Sequence, residues 1–172
     1  VKDNIMGMID DTIARAVHAA VGEHNLISPE MVEQARRPFI GLFLRPEDCT
    51  FTPEECDDLT AEQLTNVLAD QAHKVYEAKE QALGAPIMRE LERVVLLKNV
   101  DTKWMDHIDA MTELRNGIGL RAYGQHDPVV EYKREGFDMF DAMIDAIRED
   151  TMRMIFLAQV RTREEPKREQ VA

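Results

Sequence analysis

The chain has 172 residues, 44% of them apolar and 31% charged, with a formal charge of −12, and that length is enough to bury one real core. Aromatic residues make up only 6%, while the better helix formers are abundant and β-branched runs are scarce, so the sequence predicts an all-α fold. The acidity argues against nucleic acid or a broad anionic membrane surface as the main partner, because both are held by clustered Lys and Arg.

From Val1 to Val21 the apolar residues Ile5, Ile9, Ile13, Ala16 and Ala20 recur in steps of three and four, which predicts a helix closed by Gly22. A helical pattern already running at Val1, with no cap before it, reads as a piece of something longer. Pro29, Pro38, Pro46 and Pro53 then break the chain from Glu23 to Asp58 into short pieces. Ser28-Pro29 predicts a capped short helix to about Arg36. Phe39, Leu42, Phe43, Leu44 and Phe51 are expected to pack a small satellite core. Cys49 and Cys56, with six residues between them and no ligand-type companions, read as free thiols.

Thr60 and Gln63 carry the spacing of a capping box, with Leu59 placed to staple Leu64. The helix they open shows an apolar face of Leu64, Val67 or Leu68, Ala72, Val75 and Ala78, and Gly84 closes it. Lys74, Lys79 and the glutamates between them read as its solvated face. Farther on, Leu97, Trp104, Met111 and Ile118 recur every seven residues, with Val100 and Leu114 between them. Phe137, Phe140, Ile144, Ile147, Thr151, Met154 and Ala158 answer in a second stripe. Two such stripes around a short polar turn, Arg121 to Pro128, predict a long antiparallel helical hairpin, with Asp127-Pro128 starting the return helix. Gly136 in that return helix costs about 1 kcal/mol against alanine and points to close helix packing. The segment 162–172 is charged and apolar-poor, as expected of a disordered tail.

Catalytic constellations fail on their chemistry. Gly117-Ile-Gly119-Leu-Arg-Ala122 matches a dinucleotide fingerprint, but that site needs a preceding strand and a following helix. No phosphate-loop motif occurs, and the only serine, Ser28, is explained as a cap. Asp106, His107 and Asp109 resemble a metal or acid–base cluster, but Asp106 and His107 are adjacent on a helix and point in different directions, so they do not converge on one ion, and His107 reads as a seam residue. His18, His24 and His73 lack companions at ligand spacing. Met139 and Met143 are candidates for an adaptable contact surface. Arg121, Tyr123, Gln125, His126 and Asp127 crowd the hairpin tip, where Tyr and Arg are the types that most often anchor protein contacts.

The stretches Trp104-Met-Asp-His-Ile-Asp-Ala-Met, Leu114-Arg-Asn-Gly-Ile-Gly-Leu-Arg-Ala-Tyr-Gly-Gln-His-Asp-Pro128 and Glu131-Tyr-Lys-Arg-Glu-Gly-Phe-Asp-Met-Phe140 closely resemble the SecA family of preprotein-translocating ATPases. The resemblance is strong over residues 81–160. It implies that residues 1–22 end a scaffold helix, 23–84 form a helical wing-like subdomain, and 85–161 form a two-helix finger. In the finger, Trp104, Met111, Ile118, Phe137, Phe140 and Ile144 would make the seam. The tip residues Arg121, Tyr123, Gln125, Asp127 and Pro128 would meet the SecYEG channel and the unfolded preprotein, and the same helices would contact the parent's motor domains. The resemblance further implies a cytoplasmic protein at the inner face of the bacterial plasma membrane, with ATP used by the parent and no cofactor in this piece. Exchange of the hairpin between two chains is a further expectation. The rival reading is a freestanding helical module that regulates a partner through its hairpin.

Overall fold

The computed structural model describes residues 1–121 and 127–160. Within them the chain is all-α: α1 (Lys2–Val21), α2 (Pro29–Arg36), a 3-10 turn (Arg37–Phe39), α3 (Pro53–Asp57), α4 (Ala61–Leu83), α5 (Ala85–Arg121) and α6 (Pro128–Leu157). The expected tail, 162–172, lies outside the described residues.

Local chemistry sets the helix ends. Ser28 Oγ accepts the Met31 amide at 3.3 Å, and Pro29 occupies the first turn, where its missing N–H has no consequence. Thr60 and Gln63 cap each other reciprocally at 3.1 and 3.0 Å. Thr52 caps α3 in the same way through the Glu55 amide, a helix that the sequence reading passes over. Gly22 and Gly84 end α1 and α4 at φ 61° and 87°, where a Cβ would be strained. Gly84 is also the whole connection between α4 and α5.

Helix α1 runs through the middle of the core. Ile5, Ile9, Ile13, Val17 and Val21 are buried among Val32 and Ala35 of α2, Leu64, Leu68, Ala72 and Tyr76 of α4, and Met152 and Ile155 of α6. The expected face continued through Ala16 and Ala20, but these are only partly buried. Successive steps of four carry a stripe around a helix of 3.6 residues per turn, and α1 has α2, α4 and α6 around it to follow that stripe. On α4, Tyr76 takes the buried position that Val75 was expected to fill, and Ala78 is exposed.

Two further expectations are corrected. The aromatic cluster is no satellite: Phe39, Phe43 and Leu44 belong to the main core, where the Phe43 ring lies 5.1 Å from Phe39 and 5.5 Å from Phe156 of α6. Nor is Lys79 part of a purely solvated face. Its Nζ donates to the Phe156 and Ala158 carbonyls at 3.2 and 2.5 Å, where the end of α6 leaves acceptors unsatisfied. Burial pulls the Lys79 pKa below its ordinary value.

Arg36 is buried, and its guanidinium organises the loop after the 3-10 turn. It donates to the carbonyls of Asp48 at 2.9 Å and Pro46 at 2.5 Å and pairs with Glu33. A buried cation is tolerable when such partners surround it.

Candidate functional site at the α5–α6 pair

Helices α5 and α6 pack antiparallel, because contacts climb one helix as they descend the other. Asn99 Nδ2 reaches Thr151 Oγ1 at 3.4 Å, Lys103 pairs with Asp150 at 2.8 Å, and the His107 ring lies 5.9 Å from Phe140. Nearer the turn, the space above Gly136 is taken by Met111: a Cβ there would stand 2.9 Å from the Met111 Cε. Gly136 is buried and lets the two helices approach closely. Asp150, by hydrogen bond and charge, pushes the Lys103 pKa up.

The buried line differs in part from the expected seam. Leu114 and Ile118 of α5 and Ile147 and Thr151 of α6 are buried as expected, and Met111 and Ile144 are half-buried. Leu97 is exposed, and Val95 and Asn99 hold inward positions; Val100 and Trp104, partly exposed, stand at the edge of the pair and line a cavity with Phe140, Ile144 and Ile147 of α6. Phe137 is 70% exposed, with Gly136 facing α5 in its place, and Phe140 is only partly covered. A residue on an α-helix is turned about 100° from its neighbour, so a one- or two-residue slip in register exposes the side chains assigned to the seam. Met143, expected as a contact surface, is buried, and Met139 is half-buried. His107 sits between the rings of Trp104 and Phe140. Among the described residues no three His, Cys, Asp or Glu side chains are placed to hold a metal ion. Burial raises the pKa of both free thiols, Cys49 and Cys56, which disfavours the reactive thiolate.

At the far end, Asp127 caps α6 by accepting the Val129 amide at 2.9 Å, and Pro128 opens the first turn. Arg115 and Ile118 of α5 and Pro128, Val129 and Tyr132 of α6 line a cleft of about 410 Å³ beneath the turn. Arg121 ends α5, whereas Tyr123 and Gln125 lie outside the described residues. The sequence reading missed the apolar group beside them: Leu120 is 85% exposed, and Val129 and Val130 are more than half exposed. Three large apolar side chains flanking one polar turn were the available signal, since such grouping marks contact surfaces. The opposite end of the pair is tied to the core by Lys79, and midway along α6 the Arg15–Asp145 ion pair at 2.6 Å adds a second tie.

The family model of the SecA wing and scaffold domain matches residues 1–159. The chain belongs to that family. It is 42% identical to the protein translocase subunit SecA of Syntrophomonas wolfei over 92% of this chain and 19% of that protein. The SecA subunit of Pelotomaculum thermopropionicum is 43% identical over 92% of this chain and 18% of its own length. SecA 1 of Alkaliphilus metalliredigens is 41% identical over 99% of this chain and 19% of its own length. The chain thus spans about one fifth of the length of these SecA relatives. This SecA wing-and-scaffold chain also exposes apolar side chains along α5, Val94, Leu97 and Ile108, each at least 48% exposed, whereas Trp104 lines a cavity with Phe140, Ile144 and Ile147 of α6. Among the described residues no helix is long and apolar enough to cross a membrane.

Proposed function

We propose that the chain is the non-catalytic wing and scaffold part of a SecA-type translocation motor. In this role α5 and α6 form a finger whose tip, Arg121 to Pro128, meets the SecYEG channel and the unfolded preprotein. The family match across residues 1–159 is the observation that carries the reading. The antiparallel pair, anchored at one end and apolar at the other, supports it physically, because two packed helices transmit a displacement with little bending. On this reading residues 1–22 belong to the scaffold, 23–84 to the wing and 85–161 to the finger. ATP hydrolysis resides in the part of the subunit outside this chain, and the exposed apolar residues Val94, Leu97 and Ile108 are covered there. The protein works at the inner face of the plasma membrane. Tyr123 would meet passing peptides through a broad ring with one polar end, a combination that tolerates varied side chains.

The test uses the whole translocase subunit that contains this chain, with channel-bearing vesicles and a purified preprotein. Tyr123→Ala and the paired change Leu120→Ser/Val129→Ser are expected to slow preprotein import while leaving the melting temperature unchanged. Import at the unmodified rate by both variants, with folding intact, would remove the tip from the mechanism.

A further inference from the structure

The corner between α4 and α5 is bracketed by polar groups of a kind otherwise rare in this core. Tyr76 lies eight residues before Gly84 and Glu92 eight residues after it, and both side chains are fully buried. Closer to the corner, Glu80 and Arg89 pair at 2.6 Å, four residues before and five residues after the same glycine. In a continuous helix residues 76 and 92 would stand about 24 Å apart. Gly84, at φ 87° and ψ 147°, turns the chain so that the two helices fold back and Glu80 of α4 meets Arg89 of α5.

The cluster is connected. Arg89 Nη2 also lies 2.7 Å from Glu92 Oε1, and Lys2, at the start of α1, joins Glu80 at 3.0 Å. Among the described residues, Glu80–Arg89 is the one ion pair that joins α5 directly to α4. Burial, then the Glu92 charge and the hydroxyl's contact with that carboxylate, drive the Tyr76 pKa far above its ordinary value of 10.0. Tyr76 therefore remains a neutral donor facing Glu92. The Tyr76 hydroxyl, Arg89 Nε and both Glu92 oxygens are nevertheless buried without a well-aligned protein hydrogen bond. Such a group is poor as a source of stability, since buried ion pairs recover their desolvation cost only with excellent geometry. It is well suited to specificity. An apolar contact tolerates sliding, but a buried carboxylate that moves from its cation and its phenol is left uncompensated.

We infer that the Tyr76–Glu92 and Glu80–Arg89 pairs form an orientation lock across Gly84, fixing the angle between α4 and α5 and so the direction in which the α5–α6 pair leaves the core. The lock lies inside this chain and is independent of what the tip contacts. Its lever is long: Asp109, 25 residues beyond the corner, stands about 37 Å along α5, so a 10° change displaces it by about 6 Å.

The experiment measures the distance distribution between spin labels at the exposed positions Glu62 and Asp109. The labels are carried on noncanonical side chains so that Cys49 and Cys56 stay native. Tyr76→Phe removes the hydroxyl and Glu92→Gln the charge with little change of shape; Glu92→Met removes the charge and the polar atoms together. The lock predicts a distribution roughly twofold broader, or shifted by several ångströms, in all three, with Glu92→Met melting at or above the wild-type temperature. Leu68→Ala opens the same core away from the corner and is expected to lower the melting temperature with an unchanged distribution. Superimposable distributions for wild type and the three polar variants would overturn the lock, whatever their stability. So would broadening of equal size in Leu68→Ala, which would make angle a mere correlate of stability.

Discussion

Gly136 is where the packing of α5 on α6 can be tested most directly, since the outcome depends on a competition between two named terms. Replacing glycine by alanine inside a helix gains about 1 kcal/mol of propensity. The new Cβ would sit 2.9 Å from Met111 Cε and 3.5 Å from its sulfur. The methionine end is flexible, and turning it aside costs about 0.5–1.5 kcal/mol. Gly136→Ala is therefore expected to be near neutral, within about 1 kcal/mol of wild type in either direction. Gly136→Leu cannot be absorbed by one methyl group and should cost about 1–3 kcal/mol as the helices are pushed apart. Met111→Ala alone should cost about 1–2 kcal/mol, below the range for a fully buried methionine because Met111 is half-buried. The cycle carries the decisive term: in Gly136→Leu/Met111→Ala the leucine fills the space vacated by the methionine, so the double variant should be at least about 1 kcal/mol more stable than the sum of singles. Urea unfolding followed by circular dichroism, with hydrogen exchange along α5 and α6, supplies the numbers. Strict additivity, or a loss above about 2 kcal/mol for Gly136→Ala, would refute the idea that Met111 seated on Gly136 sets the helix spacing.

Other consequences follow from polar groups in the core. Arg36→Met should cost about 3 kcal/mol, because it strips the Asp48 and Pro46 carbonyls of a buried charged donor, and a melt should show a drop of about 6–12 °C. Lys79→Met should leave global stability little changed and speed amide exchange selectively at the last turn of α6, which loses its donor at Phe156 and Ala158; exchange accelerating uniformly along α6 would contradict a capping role. Hydrogen bonds from Lys2 and Arg89 hold the Glu80 carboxyl below its ordinary 4.5. A depressed carboxylate contributes stability that is fully present above its unfolded value and is lost as pH falls through the folded one. Glu80→Gln should therefore flatten part of the loss of urea stability below pH 4.5; identical acid profiles for the two proteins would show the pairing to be energetically silent.

What could be read from the sequence was what neighbouring residues decide among themselves. Ser28-Pro29, Thr60 with Gln63, and Asp127-Pro128 place their helix starts correctly because a cap needs only a side-chain oxygen and an amide two or three residues on. Gly22 and Gly84 place ends for an equally local reason. The roles of Lys79, Arg36 and Glu92 were illegible because their partners are set by tertiary folding. Lys79 finds its acceptors 77 and 79 residues away, and no spacing rule reaches that far. At the candidate site, the cap residues Asp127 and Pro128 were legible, while Leu120, Val129 and Val130 were passed over in favour of the polar residues between them.

The misplaced seam on α5 has a more instructive cause. The helix is apolar on two sides: Met88, Val95, Leu114 and Ile118 face inward, and Val94, Leu97 and Ile108 face out. Between Val95 and Leu114 the inward line passes through Asn99, Lys103 and His107, a polar stretch that reads as surface. Asn99 is buried because it bonds to the Val95 carbonyl and reaches Thr151, and Lys103 is held by Asp150. Periodicity ranks positions by apolarity, so over this stretch it chose Leu97 and Trp104 in place of an inner line carrying partnered polar groups. A helix apolar on its outer face as well as its inner one is built to be covered on both sides. That is the physical ground for placing further protein against Val94, Leu97 and Ile108. Changing Val94 and Leu97 together to Gln and Glu should leave the melting temperature of this chain within about 3 °C of wild type, the level expected when no core contact is lost. In the whole translocase subunit the same pair should lower the melting temperature of the assembled protein. Equal effects in both settings would mean that these residues already pack within this chain, contrary to their exposure.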